Sequence, residues 1–508
     1  MSEDLYNQVN FLSPEGHLLF PEKLTFDDVL LIPEYSEVLP RDTRVHTRIS
    51  KNIILKIPFI SAAMDTVTES RMAVEMALAG GIGIIHKNLA PDEQAAEVKI
   101  VKRFENGFIK NPVVLPPTAK ISDAYIIRRD VGYKAIPITE NGRLHGKLLG
   151  ILTSNDYFIN RHGELLVSER MTPSEKLLTA PEGTSLERAH EILEESKHSK
   201  LLIVSASGNL VALVTRRDLE RKQDFPDASL DKDGRLLCGA AVGPAKNMEE
   251  RVQKLAEAEV DLFVVDTAHG HSKGVADTVR YIKKKYPKIV VIGGNIASKE
   301  AVQFLKDAGA DGVKVGIGPG SICTTRIISG VGMPQFSAIL DTAAEAKKLQ
   351  ISLIADGGIK YSGDAVKALA AGADAVMIGS IFAGTEESPG ELIYANGKTY
   401  KSYRGMGSLS AMKEGGKERY AQGDVESEEK FVPEGIEGRI LFKGSVRNEI
   451  YQMVGGLKSA LGYQGCASLE ELHQKAKFIR VTSAAVKESH PHDITISREA
   501  PNYRGNYE

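Results

Sequence analysis

The chain contains no tryptophan and only three cysteines in 508 residues, and aromatic residues make up 6% of it. Cys238, Cys323 and Cys466 are odd in number, far apart and without CxxC spacing, so neither a disulfide framework nor a zinc site is indicated. The chain also lacks any apolar run near the eighteen or so residues needed to cross a bilayer. Its start, "MSEDLYNQVN", is acidic and has no apolar core followed by a small-residue cleavage site. A cytoplasmic, reducing location is expected. Charge of one sign is missing too: 64 Lys+Arg against 67 Asp+Glu leave a net charge of −3. That argues against a general polyanion binder and toward small-molecule partners, with no membrane or specific nucleic acid expected, although a local basic pocket for one phosphate stays open.

What is present is repetition. Short β-branched runs end in Gly, Asp or Ser and are followed by Ala/Lys/Glu-rich helical patterns, the signature of repeating βα units. Eight such runs are found: Ile57 to Asp65, Gly81 to Asn88, Cys238 to Gly243, Asp261 to Gly270, Ile289 to Asn295, Gly312 to Gly320, Ile351 to Gly358 and Asp374 to Ser380. Eight units predict a closed (β/α)8 TIM barrel, with functional groups on the loops after the strands. An open doubly wound sheet is disfavoured because no GxGxxG lies between the first strand and the first helix.

Between the second and third runs a segment of about 111–224 breaks the rhythm, dividing the barrel into 1–110 and 225–508. It repeats internally, since "LLGILTSNDY" (Leu148 to Tyr157) resembles "LVALVTRRDL" (Leu210 to Leu219) and both keep a T-x-x-D spacing, Thr153/Asp156 and Thr215/Asp218. Two similar units packed together and inserted in a barrel loop are expected.

The stretch "GIGPGSICTTR" (Gly316 to Arg326) puts Cys323 in a glycine-rich loop. Gly316, Gly318 and Gly320 allow backbone conformations closed to other residues, so peptide groups could converge on a ligand and activate the thiol. Free cysteine is as often a small buried hydrophobe, and on this loop alone the two readings stand level. Two further loops favour the nucleophile. "DGGIK" (Asp356 to Lys360) and "IGS" (Ile378 to Ser380) follow the seventh and eighth strands, where barrels frequently hold phosphate on glycine N–H groups, and Asp356 could grip a ribose diol.

Together, "GPGSICTTR…GVGMPQ", "IADGGI", "VMIGS", "YRGMGS" and the early "PFISAAMDTVTE" closely resemble the inosine-5′-monophosphate (IMP) dehydrogenase family in its bacterial pattern, over nearly the whole chain. The insert resembles that family's tandem cystathionine-β-synthase (CBS) domains. The resemblance implies NAD-dependent oxidation of IMP to xanthosine monophosphate, the committed step of guanine nucleotide synthesis. Cys323 would attack C2 of the purine, and water would later hydrolyse the covalent intermediate. Thr325 would aid proton movement. Ser321, Gly358, Gly379, Ser380 and Tyr403 would hold the phosphate, Asp356 the ribose, and Met406, Gly407 and Glu434 the base, with Ser61, Met64, Gly357, Arg404 and Gly405 also on the substrate side. Asp266, Asn295, Gly316 and Gly318 would face the dinucleotide.

The polar, glycine-rich stretch at about 408–438 has few apolar anchors, so mobility is expected. By the resemblance it is the family's flap, whose Arg-Tyr pair enters the vacated dinucleotide site, with Arg419 activating water and Tyr420 orienting it. The resemblance also implies a monovalent cation, usually K+, on carbonyls of Gly318, Gly320 and Cys323 and of Glu488, Ser489 and His490 from a neighbouring subunit. A homotetramer, with pairing into an octamer left open, is what this implies. Purine nucleotides at the insert would meet Asp156 and Asp218. His269 and His271 lack a third clear ligand and do not make a zinc site. Two rivals are weighed: guanosine monophosphate (GMP) reductase, which generally lacks the insert and the Arg-Tyr flap, and a CBS-based nucleotide sensor with a degenerate barrel.

Overall fold

The computed structural model describes residues 22–104, 108–109, 112–131, 135–420, 422–423 and 427–503. Eight parallel strands close into a barrel: β1 (Phe59–Ser61), β2 (Ile82–Ile85), β3 (Cys238–Val242), β4 (Leu262–Asp266), β5 (Val290–Ile296), β6 (Gly312–Val315), β7 (Ser352–Asp356) and β8 (Ala375–Ile378). Each coincides with one of the eight expected runs. Strand pairing runs around the ring and closes where β8 meets β1, with Ile378 opposite Ser61.

Both faces of these strands are covered, which is why they read as unbroken apolar runs rather than alternating ones. Along β4, Leu262 and Val264 point into the barrel interior with Ile60, Ile84, Ile292, Ile354 and Met377. Phe263 and Val265 point outward against the helices, in the layer that also holds Val313 and Val315. Lys314 lies between those last two, so the pleat turns it inward. It is 1% exposed.

Between β2 and β3 the chain leaves the barrel and forms two small α/β units. Helix Ile121–Val131 precedes a sheet of Ala135–Thr139, Leu148–Thr153 and Thr172–Pro173, and helix Leu186–Ser196 accompanies a sheet of Thr179–Pro181, Lys200–Val204 and Leu210–Thr215. Each central hairpin shifts register at the same place, between Ile138 and Thr139 in one unit and between Ile203 and Val204 in the other. Leu148 and Ile151 of the first pack with Leu202, Leu210 and Leu213 of the second in one apolar cluster. In the first unit the Thr153 amide donates to Asp156 Oδ2 at 2.6 Å, so the aspartate caps its own turn. Asp218 lies in helix Arg216–Asp224, and its side chain falls outside the described residues.

After β8 an antiparallel sheet of Leu392–Ala395, Lys398–Arg404 and Glu437–Leu441 stands over the barrel's C-terminal end. Its register puts Tyr403 opposite Gly438 and Arg404 opposite Glu437, which brings both ends of the flap segment together. No helix among the described residues is long and apolar enough to cross a membrane.

Candidate active site

One cavity at the C-terminal end of the barrel gathers most of the residues singled out above. Met64, Asp266, Asn295, Gly316, Gly318, Gly320, Ser321, Cys323, Thr325, Asp356, Gly357, Gly358, Gly379, Ser380, Tyr403, Gly405, Met406, Arg419, Tyr420 and Glu434 all line it. They come from loops remote in sequence, and the strand ends make them neighbours.

Glycine is required at two of these turns for identifiable reasons. A Cβ at Gly316 would stand 2.0 Å from the Asp356 carbonyl oxygen, so no side chain fits where the β6 and β7 loops cross. Gly357 and Gly358 follow one another with φ of 93° and 81°, the left-handed region that other residues avoid. Gln335 fastens the same corner by donating from Nε2 to the Val315 carbonyl at 2.9 Å and to the Asp356 carbonyl at 3.1 Å.

Cys323 is half-buried, and its thiol donates to Thr325 Oγ1 at 3.2 Å. The cysteine loop is held by main-chain bonds to the segment ahead of the last sheet strand. The Thr324 amide donates to the Glu434 carbonyl at 3.0 Å, the Glu434 amide to the Gly407 carbonyl at 3.0 Å, and the Ile436 amide to the Ile322 carbonyl at 3.0 Å. The backbone of the cysteine loop is therefore tied to the 434–436 segment, which is in turn tied to Gly407. By contrast Cys238 is fully buried on β3, where desolvation pushes its thiol up out of reach of ionisation.

Near the β8 turn, Tyr403 is buried, and burial raises its hydroxyl to about 12, so it remains a neutral donor. A Cβ at Gly379 would lie 3.3 Å from the Tyr403 hydroxyl oxygen and 3.2 Å from Met64 Sδ, which places all three around the β8 turn.

At the barrel mouth two carboxylates share one lysine. Lys314 Nζ donates to Asp266 Oδ1 at 2.8 Å and to Asp356 Oδ2 at 2.6 Å, and it also bonds Asn295 Oδ1. Asn295 Nδ2 completes the set by donating to Asp356 Oδ2 at 2.9 Å and to the Gly316 carbonyl at 2.8 Å. Asp266 Oδ2 is taken by the Arg419 guanidinium. The flap is thus docked, and the Ala268 amide donates to the Arg419 carbonyl at 3.0 Å. The Tyr420 ring covers Gly407, with Cζ 2.5 Å from where a Cβ would stand. Gln422 pairs both ways with the main chain of Val432 at 3.0 Å, closing the neck of the flap. Polar contacts supply the anchorage that the apolar composition did not.

Three expected substrate-side or base-side residues, and the expected cation donors of the C-terminal segment, have other surroundings. Ser61 does not line the cavity, and its buried hydroxyl accepts from Thr68 Oγ1 at 2.9 Å. Arg404 lies outside it as well, bonding Asp65 through Nε at 3.1 Å and Nη2 at 2.7 Å and Ser410 at 2.9 Å, so that it ties the β1 loop to the base of the flap. Gly407 lies beneath Tyr420. His490 packs within its own chain against Tyr361 and donates to or accepts from Tyr503 at 2.9 Å, with Glu488 and Ser489 in the helix before it.

Residues the sequence did not reveal are Lys314 and Lys87. Lys87 follows β2, is 6% exposed, and its Nζ has no hydrogen-bond partner. Burial lowers it to about 8, with the Arg419 charge adding to the effect. A lysine inside an apolar strand, at an inward position of the pleat, was the available signal for Lys314.

A model of the IMP dehydrogenase / GMP reductase domain matches residues 23–492. The chain belongs to this family. An inosine-5′-monophosphate dehydrogenase of Chlorobaculum tepidum is 54% identical over 487 residues, covering 95% of this chain and 98% of that one. Enzymes of the same name from Aquifex aeolicus and Staphylococcus aureus are each 52% identical, again over 95% of this chain and 98% of theirs. Among solved structures, a GMP reductase from Trypanosoma brucei carrying a cysteine-to-alanine substitution, in complex with guanosine 5′-monophosphate, superposes with a TM-score of 0.81 at 38% identity. That match covers 94% of this chain and 99% of the reductase. An insert of this length therefore does not separate the two activities, contrary to the expectation from sequence.

Proposed function

We propose that this protein is an NAD-dependent IMP dehydrogenase that oxidises IMP to xanthosine monophosphate through a covalent purine bound to Cys323. The observation that carries the reading is the convergence on one cavity of the Cys323 thiol, the Gly357–Gly358 and Gly379–Ser380 turns, and an Arg419–Tyr420 pair docked over Asp266. The relatives that match over nearly the full chain support the same reaction.

In this reading the turns and Tyr403 hold the phosphate and Asp356 the ribose, which sets the purine beside the sulfur. The Cys323 sulfur bonds to C2, and the hydrogen on that carbon leaves as hydride. Asp266, Asn295 and the Gly316–Gly318 turn would hold NAD+, which would supply the hydride acceptor. The carboxylate of Asp266 fits a cationic planar group, since the guanidinium of Arg419 already lies against it. Once the cofactor pocket is vacated, Arg419 occupies the same carboxylate, Tyr420 orients water, and a proton is drawn off as the water oxygen bonds to C2 and the C2–S bond breaks. An arginine in this role needs the closed, desolvated setting, because its free guanidinium stays protonated. Thr325, beside the sulfur, passes a proton as the thiol is regenerated.

The remaining parts of the reading concern assembly. Carbonyls of Gly318, Gly320 and Cys323, completed by Glu488, Ser489 and His490 of a second copy, are the donors proposed for K+, whose weak hydration suits carbonyl oxygen. That arrangement calls for a tetramer. The insert, as a CBS pair, is proposed to bind a purine nucleotide near Asp156 and Asp218.

The deciding experiment measures NADH formation from IMP beside NADPH oxidation with GMP. IMP-dependent NADH is expected. GMP-dependent NADPH oxidation without it would assign the chain to the reductase branch. Intact mass of the Cys323→Ala variant incubated with IMP and NAD should show no purine adduct, and an adduct there would overturn the nucleophile.

A further inference from the structure

Asp266 divides its two oxygens between two cations, Oδ1 to Lys314 and Oδ2 to Arg419. Lys314 in turn divides itself between Asp266 and Asp356. The group of Lys314, Asp266 and Asp356 therefore holds two carboxylates and one fixed cation, and the flap arginine brings it to balance. Lys314 is fixed on a barrel strand, whereas Arg419 is carried on a segment that must leave for a dinucleotide to enter.

We propose that Lys314 is a positioning residue that sets how firmly the flap docks: by holding Asp266 Oδ1 it weakens that carboxylate's pull on Arg419 and keeps the flap releasable. The proposal rests on the reading that the flap and the dinucleotide alternate at Asp266. Lys314 touches neither reacting atom in the docked state. Its effect is carried by charge at close range, where the low-dielectric surroundings magnify each unit.

The sign of the effect separates this role from a structural one. Without Lys314, two carboxylates face Arg419 with no other cation between them, and docking tightens on the order of tenfold, about 1.4 kcal/mol. Without the Asp356 charge, Lys314 gives itself wholly to Asp266, and docking loosens. Lys87 is within electrostatic reach of Arg419 and Glu418, and Arg251 of Glu418, contributions that are the same in both variants. A plain loss of packing would loosen the flap in both.

The test is amide hydrogen exchange of the full-length, substrate-free protein, read at Ala268, whose N–H is protected by the Arg419 carbonyl, and across residues 416–420. Lys314→Met should slow exchange at Ala268 about tenfold, while Asp356→Asn should speed it. Amides of helix Gln335–Lys348 serve as the internal reference. Faster or unchanged exchange at Ala268 in Lys314→Met, with the reference helix still protected, would overturn the proposal. If Lys314→Met does not fold, Asp356→Asn decides alone, since unchanged or slower exchange there contradicts the charge-sharing scheme. Neither readout involves IMP oxidation, so a negative result leaves the proposed reaction standing, and a failed oxidation assay leaves the docking result interpretable.

Discussion

Gly407→Ala is the smallest change that tests whether the flap works as a hydrolytic device. A Cβ at Gly407 would lie 2.5 Å from Tyr420 Cζ, 2.7 Å from its hydroxyl oxygen and 2.8 Å from Cε2. Gly407 is not in the left-handed region, so alanine brings no backbone strain and the whole effect falls on the ring. To reach ordinary carbon contacts of about 3.5 Å the tyrosine must retreat by roughly 1 Å. Overpacking of this kind costs about 1–3 kcal/mol. At about 1.4 kcal/mol per tenfold, the docked population falls roughly five- to 150-fold.

The variant should separate the two half-reactions. Hydride transfer needs the flap away, so the rapid burst of NADH absorbance in a stopped-flow mixture of enzyme, IMP and NAD should keep its rate and an amplitude near one per site. Steady-state turnover should drop about ten- to hundredfold, because hydrolysis waits for a properly seated Tyr420. Gly363→Ala, in helix Ser362–Ala370 with nothing within 4 Å of the added carbon, is the control and should leave both phases intact. Equal loss of burst and steady state would place Gly407 on the oxidative step, and unchanged turnover would show that the ring need not seat at all.

Arg419→Ala removes the cation from Asp266 and should slow hydrolysis far more than hydride transfer, seen as an intact burst followed by a collapsed linear phase. A lost burst with normal hydrolysis would contradict the assignment. Iodoacetamide should label one thiol per chain, at half-buried Cys323, while fully buried Cys238 and Cys466 stay unlabelled, and IMP should protect; peptide mass spectrometry locates the label. Asp374, whose Oδ2 accepts from the Leu353 amide at 2.8 Å, has its carboxyl raised by burial from 3.8 to about 6. Because the folded state binds this proton more tightly, stability from this group is greatest below pH ~4, declines by up to about 3 kcal/mol as pH rises through 6, and is flat above. The melting temperature of Asp374→Asn relative to the unaltered protein should accordingly climb between pH 4 and pH 7, and a constant difference would refute the shift.

The barrel was legible because strands buried on both faces leave continuous apolar runs, each ending where a glycine or aspartate must turn the chain. The same regularity hid Lys314. One lysine in "GVKVGIG" reads as an interruption, and only the ring closure shows that its neighbours Val313 and Val315 face outward and force it into the mouth. The flap was legible as a polar segment, and its docking only through the family resemblance; the contacts that hold it, Arg419 on Asp266, the Ala268 amide and the Gln422–Val432 pair, were not, because they are polar rather than apolar. Arg404 illustrates the limit of motif reading: it sits among substrate-side residues in sequence, yet its guanidinium is spent on Asp65 and Ser410.

The reductase match sharpens where the choice of reaction is made. A chain that shares this fold over 94% of its length does not owe its chemistry to the barrel or to the presence of an insert. Oxidation followed by hydrolysis requires that one site serve a dinucleotide first and water second, whereas reductive deamination needs no second occupant at that position. A side chain that competes for the dinucleotide's own anchor answers the first requirement directly, because its entry is possible only after the cofactor leaves. In the function proposed above, Arg419 on Asp266, with Tyr420 pressed over Gly407, has that property. On the proposed reading, the order of the two half-reactions follows from mutual exclusion at one carboxylate, and its tempo from how strongly Lys314 restrains that carboxylate.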